Sequence, residues 1–130
     1  MPALSFAKRF ADDVESGKKR QTIRVERKRP VNPGDPLYLY TGMRTKACRK
    51  LGESECDEVH RFRREGRGKW WLIEVENRWG LMERGEYLGE SDIAMMARLD
   101  GFDTTAEFED WFDQYPDGSR LDLLKWGNFS

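Results

Sequence analysis

The sequence predicts an α+β fold: a small barrel-like β-sheet with a helix at its start and a pair of helices late in the chain. Phe6, Phe10 and Val14 recur every four residues and form one apolar helical stripe. The run WWLIEV at 70–75 is the strongest strand signal. A second stripe with helical spacing consists of Phe108, Trp111, Phe112 and Tyr115. Because 130 residues is the length of one domain, we expect a single domain over residues 1–130.

Clear signals bound the first helix and the segment after it. Ser5 is placed to cap the helix, and Gly17 is placed to end it in the left-handed conformation. Residues 18–29 hold seven Lys or Arg and only one acid, Glu26. The run PVNPGDP at 30–36 then indicates a turn, and LYLY at 37–40 reads as a strand.

The second half of the chain predicts strands first and helices afterwards. VHRF at 59–62 and WWLIEV at 70–75 flank the turn EGRGK, and EYLGE at 86–90 is a candidate short strand. Ser91 is placed to cap a helix that runs through Leu99 and closes at Gly101. Thr104 and Glu107 have the spacing of a capping box before the last helix. LDLLKW at 121–126 supplies a closing strand.

Composition excludes several classes of protein. No apolar run approaches the length of a membrane span, and the first residues lack the apolar stretch of a signal peptide, so we expect a cytoplasmic protein without a membrane partner. Two cysteines, Cys48 and Cys56, are too few for a disulfide framework, and the one histidine, His60, has no matched ligand set nearby. We therefore expect no metal and no cofactor.

Charge is distributed unevenly along the chain although the net charge is only −1. Residues 1–69 hold 18 Lys and Arg against 10 Asp and Glu, whereas residues 70–130 hold 5 against 14. This asymmetry suits a face that binds a polyanion or a phosphate-bearing ligand. The alternative is that the two halves neutralise each other across the fold.

The run GKKRQTIR at 17–24 places a hydroxyl among cations. In an extended chain Arg20, Thr22 and Arg24 share one face, and Ile23 faces the core from the other. Lys19 can approach Thr22 only if the chain is still turning after Gly17. Crowding by neighbouring cations lowers the pKa of such a lysine, which favours a neutral amine able to act as a general base. The alternative is a solvated basic turn.

The spacing Gly17-x-Lys19-x-x-Thr22-x-Arg24 resembles the GxKxxExR signature of ASCH domains, with Thr in place of the commoner Glu. The segment SFAKRFADDVESG before it, the PGD segment with its strand, and the late ARLDGFDTTAEFEDWF are similar to other parts of that family. The resemblance implies a PUA-like fold, a small β-barrel with helices, that recognises RNA or modified nucleotides.

One branch of that family removes the acetyl group from N4-acetylcytidine with a Lys, a Thr and a Glu. By position these roles fall on Lys19, Thr22 and Asp100, and Asp100 is one methylene shorter than Glu. The resemblance therefore implies an amidohydrolase that acts on an acylated nucleobase, with Arg24 at the substrate. A non-catalytic module that binds RNA or a modified nucleotide is the alternative, and a ribonuclease is less well supported because the chain lacks a histidine pair.

Further candidate contacts lie outside the motif. Arg20 shares the face of Thr22, and Arg44 and Lys46 lie in a basic stretch suited to phosphate groups. Tyr40 and Trp126, at strand ends, are candidates for stacking on a base. The predicted partner is a modified nucleoside, a nucleotide or RNA, and the sequence leaves the oligomeric state open.

Overall fold

A computed structural model describes residues 2–127 as a mixed α+β structure. No helix within that range has the length and apolar composition needed to cross a membrane. The described strands are β1 Ala3–Phe6, β2 Gln21–Val25, β3 Pro36–Thr41, β4 Arg49–Gly66, β5 Lys69–Asn77, β6 Gly80–Tyr87 and β7 Ser119–Trp126. The helices are α1 Lys8–Glu15, α2 Glu90–Leu99 and α3 Thr105–Phe112.

The long strand β4 organises the sheet. Its first part pairs with β3, and its second part pairs with both β5 and β7. Strand β1 extends β3 in parallel, whereas every other described pair is antiparallel. Strand β2 pairs with β7, and β6 pairs with β5. Hydrogen bonding among residues 2–127 leaves the sheet open, so the coarse α+β prediction is confirmed but strand pairing does not close a barrel.

The helix signals are correct in position and partly wrong in their caps. Gly17 has a φ of 83°, as a left-handed helix end requires, and Thr104 Oγ1 accepts a hydrogen bond from the backbone N–H of Glu107 at 3.1 Å. Ser5 does not cap α1, because its backbone is paired with Tyr40 in the β1–β3 ladder, and α1 begins after Ala7. Ser91 lies inside α2, which begins after Gly89.

The strand predictions identify the central segments and miss their extent. LYLY, WWLIEV and LDLLKW lie within β3, β5 and β7. VHRF is the middle of an 18-residue strand that begins at Arg49. Only the first two residues of EYLGE belong to β6, which begins at Gly80. Strand β1 is too short to stand out in the sequence and exists because β3 supplies its hydrogen bonds.

The aromatic residues form much of the core between the sheet and α3. Trp70 is fully buried, stacks on Phe108 with ring centroids 5.4 Å apart, and contacts Phe112 edge to face. Phe62 of β4 meets the edge of Trp70 at 5.6 Å. These ring contacts hold α3 against the β4–β5 hairpin and so set the orientation of α3.

A buried ion pair also attaches α3 to the hairpin. Arg64 and Glu109 are both almost fully buried, and Arg64 Nη2 lies 2.9 Å from Glu109 Oε1. Glu109 also accepts hydrogen bonds from the Trp70 indole at 3.1 Å and from the Gly68 backbone N–H at 2.7 Å. Arg64 further donates to Asp113 Oδ1 at 2.7 Å. Both charges are therefore saturated with partners, as burial requires.

The two oppositely charged halves of the chain partly neutralise each other. Three arginines of β4 and its turn pair with acids of the second half: Arg61 with Glu74, Glu76 and Asp122, Arg64 with Glu109 and Asp113, and Arg67 with Asp110 and Asp113. Arg49 and Arg63 of β4 pair instead with acids of the first half.

Replacement of Glu109 by Gln should lower the free energy of unfolding by about 3 kcal/mol, because it leaves the buried Arg64 without its main counter-charge. Glu107→Gln is the matched control, since Glu107 is half-exposed and its ion pair with Arg9 is 3.7 Å long. That control should cost less than about 1 kcal/mol. Urea unfolding of both variants measures the difference, and equal losses would contradict the assigned role of Arg64–Glu109.

Candidate active site

The cavity beside strand β2 gathers the residues of the motif. It has a volume of about 130 Å³, and its polar lining includes Lys19, Thr22, Arg24 and Asp100. Ser5 and Phe6 of β1 form another part of the wall. Three of the predicted polar residues, Lys19, Thr22 and Asp100, are each about 5 % exposed or less. Buried polar groups at the wall of a cavity are a frequent feature of binding and catalytic sites.

Of the three predicted catalytic residues, Lys19 and Asp100 are hydrogen-bonded to each other in the described residues 2–127. Their contact joins the segment before β2 to the end of α2. Lys19 Nζ donates to the backbone carbonyl of Asp100 at 2.5 Å and to Asp100 Oδ1 at 3.1 Å. The ammonium also lies 5.1 Å from the Phe10 ring centroid and 5.8 Å from that of Phe6. The amine is therefore held in a dry, aromatic environment.

Burial shifts both members of this pair toward their neutral forms. It lowers the pKa of Lys19 and outweighs the opposing effect of the Asp100 carboxylate. It also raises the pKa of Asp100 to about 6, although the charges of Lys19 and Arg24 and a hydrogen bond from Gln21 act in the other direction. The pair thus favours a shared proton more strongly than an exposed ion pair would.

Thr22 is held by Arg24 and not by Lys19. Arg24 Nε donates to Thr22 Oγ1 at 2.9 Å, and Arg24 Nη2 donates to the Ser5 carbonyl at 2.7 Å. The guanidinium lies 4.8 Å from the centroid of Phe6. In the part of the chain that the structure describes, Thr22 Oγ1 and Lys19 Nζ share the cavity without a hydrogen bond between them. The predicted direct Lys19–Thr22 contact is thus replaced by a Thr22–Arg24 contact.

Two glycines allow the chain to bring these groups together. Gly17 turns the chain out of α1, so Lys19 precedes the regular strand and can enter the cavity with Thr22. Gly101 has a φ of 98°, and a Cβ there would lie 3.0 Å from the ring of Phe10 and 3.4 Å from the side chain of Lys19. Only glycine combines this backbone conformation with so close an approach without a shift of the Phe10 ring.

The aromatic wall of the cavity was missed by sequence reasoning. Phe10, Phe102, Trp111 and Tyr115 line the cavity together with the polar groups, and the Phe10 ring lies beside Lys19. Trp111 is 41 % exposed and meets Phe10 and Phe102 edge to face, with centroids 6.4 and 6.0 Å apart. Its helical spacing suggested only core packing. The position of Trp111 in the sequence could have indicated that it lies near the site. Trp111 lies one turn beyond the capping box, on the helix that follows Asp100.

The remaining candidate residues lie outside the cavity. Arg20 is exposed and donates to the Gly17 carbonyl at 2.8 Å, because its side chain folds back on the turn. Tyr40 is half-buried in β3, and Arg44 and Lys46 are exposed in the segment between β3 and β4. Trp126 is only 3 % exposed and packs edge to face on Phe6. A stacking role for Trp126 therefore does not fit its place in the core.

Comparison with known proteins yields no assignment. Neither a family model, nor a curated protein, nor a solved structure matches this chain. Any functional inference therefore depends on the residues and on the geometry of the cavity.

Removal of the Asp100 carboxyl should change how stability depends on pH. The pKa of Asp100 is about 6 in the folded protein against an unperturbed 3.8, so between these values the folded state binds a proton that the unfolded state does not. This contribution is fully present below about pH 4 and is lost as pH rises through about 6. Relative to Asp100→Asn, the unsubstituted protein should therefore gain stability as pH falls from about 7 to about 4.

Urea unfolding at several pH values across this range measures the difference between the two proteins. Asp35→Asn, a change at a half-buried carboxylate in the turn before β3 that does not line the cavity, controls for general loss of an acidic group. A difference that grows as pH rises would contradict the assigned burial of Asp100.

Proposed function

We propose that this protein is an amidohydrolase that removes an acyl group from a modified nucleobase such as N4-acetylcytidine. The observation that carries the proposal is the convergence of Lys19, Thr22 and Asp100, with Arg24, on one small cavity. An activated hydroxyl nucleophile needs a base within reach, a group that orients the base, and a donor for developing negative charge. Those three functions have a candidate side chain each in this cavity.

The size and wall of the cavity support a planar, single-ring ligand. A cavity of about 150 Å³ lined by apolar side chains holds one benzene molecule, and this one has about 130 Å³. Aromatic rings and polar groups both line it, which suits a base whose faces are apolar and whose edge carries the amide. The sugar would remain at the mouth of the cavity.

In the first chemical step, Thr22 Oγ attacks the acyl carbonyl carbon while Lys19 Nζ, as the neutral amine, takes the hydroxyl proton. The carbon–nitrogen bond of the amide then breaks, and Lys19 returns the proton to the leaving exocyclic nitrogen of the base. The products of this step are the free amino base and an ester between the acyl group and Thr22. Approach of the substrate must first bring Lys19 Nζ within hydrogen-bond range of Thr22.

In the second step, water attacks the ester carbonyl, Lys19 accepts a proton from that water, and the proton passes to Thr22 Oγ as the carboxylic acid leaves. Asp100 positions Lys19 through the 3.1 Å contact and holds the proton that burial disfavours on the amine. Arg24, which already donates to Thr22 Oγ1, stabilises negative charge on that oxygen as the attack begins.

The same residues support membership of the ASCH family with a PUA-like fold as part of this proposal. Gly17, Lys19, Thr22 and Arg24 have the family spacing, and the first ends α1 while the others surround the cavity. The Asp in place of the family's Glu is accommodated because Gly101 lets the chain approach Lys19 closely. A closed barrel of that family would need strand contacts beyond the open pairing order described above.

Incubation with N4-acetylcytidine tests the proposed reaction through the release of cytidine. Thr22→Val and Lys19→Met should each lower kcat/KM by at least about 10²-fold, since each removes a group that takes part in proton transfer or attack. Thr22→Ser keeps the hydroxyl and should retain measurable turnover. Lys18→Met is the matched control for Lys19, because Lys18 is the adjacent residue with the same side chain and is exposed.

Three results would separate hydrolysis from simple binding. Trapping of an acyl group on Thr22 by rapid acid quench and mass spectrometry supports the covalent step. Saturable binding of N4-acetylcytidine without cytidine release favours a non-catalytic module. In such a module Thr22 and Arg24, which are hydrogen-bonded to each other, would contact the ligand. Full activity of Thr22→Val would exclude Thr22 as the nucleophile.

Trp111 should contribute mainly to substrate binding. Trp111→Ala should raise KM roughly 5- to 150-fold, because loss of one stacking contact on a base costs about 1 to 3 kcal/mol. It should leave kcat less affected, since the Trp111 ring packs on Phe10 and Phe102 and takes no part in the proposed proton transfers. Trp79→Ala is the matched control: Trp79 is 90 % exposed in the β5–β6 turn and lines no part of the cavity. Steady-state kinetics with N4-acetylcytidine measures both.

A further inference from the structure

The cations that remain without an ion pair are concentrated near the start of the chain. Within residues 2–127, eleven of the 23 Lys and Arg side chains have no carboxylate within 4.0 Å, and nine of these eleven lie between Lys8 and Lys46. The exceptions are Lys69 and Arg98. The positive half of the sequence is therefore neutralised where it forms β4, whereas its unpaired cations between Lys8 and Lys46 are exposed except for the half-buried Arg24. Such a surface attracts a multiply charged anion.

Three of these cations form one wall of an open groove at the start of β1. This Arg27 groove is lined by Pro2, Arg27, Lys28, Arg29, Pro30 and Asp35 and has a volume of about 430 Å³. All three cationic side chains are exposed. The pKa of Arg24 is lowered mainly by burial, and the positive charge of Arg27 lowers it further. Arg27 is therefore close enough to the cavity to interact electrostatically with Arg24.

A second groove begins at the other end of β1. This Lys8 groove, of about 570 Å³, is lined by Lys8, Ala11, Asp12, Thr41, Gly42, Ala47 and Arg49 and shares Ser5, Phe6 and Ala7 with the cavity. Arg49 pairs with Asp12 and Glu15, so Lys8 is the cation of this lining that has no carboxylate within 4.0 Å among the described residues. Gly42 and Ala47 belong to the tight loop that carries the unpaired Arg44 and Lys46. The loop is held by hydrogen bonds from Thr45 Oγ1 to the Gly42 carbonyl at 2.6 Å and from the Ala47 N–H to Thr45 Oγ1 at 3.1 Å.

Strand β1 thus has the Arg27 groove at its start, the cavity beside it and the Lys8 groove at its end. Four residues of strand span about 13 Å. A stacked nucleic-acid strand carries one phosphate per about 3.4 Å, so a few consecutive phosphates cover that distance. The aromatic wall accepts a base and the two grooves offer cations, which is the combination found in proteins that bind single strands.

We infer that the substrate is a single-stranded nucleic acid and that it lies along β1. The modified base enters the cavity, and the phosphates on either side of it contact the Arg27 groove and the Lys8 groove. This inference rests on the proposed amidohydrolase function and extends it from a free nucleoside to a nucleotide within a strand. The cations act on the phosphates, so they add affinity without reading the neighbouring sequence.

The test compares N4-acetylcytidine with an RNA pentanucleotide that carries N4-acetylcytidine at its centre. The pentanucleotide should have a kcat/KM at least 10-fold higher at low salt. Its kcat/KM should fall with the logarithm of salt concentration with a slope of about −1.4 or steeper, as expected for two or more phosphate contacts to a single strand. The nucleoside, which has no phosphate, should show little dependence on salt.

Combined replacement of Arg27, Lys28 and Arg29 by Ala should remove up to about two units of that slope and reduce the preference for the pentanucleotide over the nucleoside. A matched triple variant, Arg63→Ala, Lys69→Ala and Arg78→Ala, removes the same charge from exposed positions on β4, on β5 and in the β5–β6 turn. It should keep both the slope and the preference. Thermal unfolding of both triple variants confirms that each is folded.

Each outcome bears on one of the two proposals. Hydrolysis of the nucleoside with no preference for the pentanucleotide, or the same loss in both triple variants, overturns the strand-binding inference and leaves the amidohydrolase proposal in place. If neither substrate is hydrolysed, binding of unmodified pentacytidylate still tests the surface: a salt slope that Arg27, Lys28 and Arg29 control supports it. Equal affinity for an inorganic polyphosphate of similar length overturns it, because then the cavity contributes nothing.

Discussion

The burial of Lys19 with Asp100 is the constraint on which the candidate site depends. Two charged groups taken out of water lose several kcal/mol of hydration each, and their mutual attraction offsets this only with good geometry and further hydrogen bonds. Here Lys19 also donates to the Asp100 carbonyl, and Asp100 interacts with Gln21. A well-packed apolar pair would be at least as stable. The arrangement is therefore better explained by the chemistry that a shared, buried proton makes available.

Long-range structure holds this pair in place. Lys19 and Asp100 are 81 residues apart, and each lies just outside a regular element, Lys19 before β2 and Asp100 after α2. The end of α2 is linked to β2 through Gln21 Nε2, which donates to the Met96 carbonyl at 3.4 Å. Strand β2 is itself fixed by its ladder with β7. The start of β2, next to Lys19, and the end of α2, next to Asp100, are thus both anchored to the sheet.

Local rules predicted the parts of this structure that depend on a few neighbouring residues. The Thr104 cap and the left-handed Gly17 are set by backbone geometry within one turn, and both have the predicted form. The start of α1 was misjudged because Ser5 is taken up by a distant strand, β3. The exposure of the two tryptophans was misjudged because exposure is a property of the assembled fold: Trp126 packs on Phe6 and is buried, whereas Trp111 lines the cavity.

The net charge of the polar cluster depends on Arg24, the residue that contacts the Thr22 hydroxyl. Whether the proton lies on Lys19 or on Asp100, those two groups together carry no net charge, so Arg24 alone makes the cluster positive. In the proposed reaction a neutral amide would therefore enter a site with one excess positive charge. Attack by Thr22 would create one negative charge, and the low dielectric of the buried site would make its attraction to Arg24 strong. When Lys19 takes the Thr22 proton in that step, the Lys19–Asp100 pair gains one positive charge while the attacked group gains one negative charge. The net charge of the site would stay the same, and both Arg24 and the protonated Lys19 would stabilise the oxyanion.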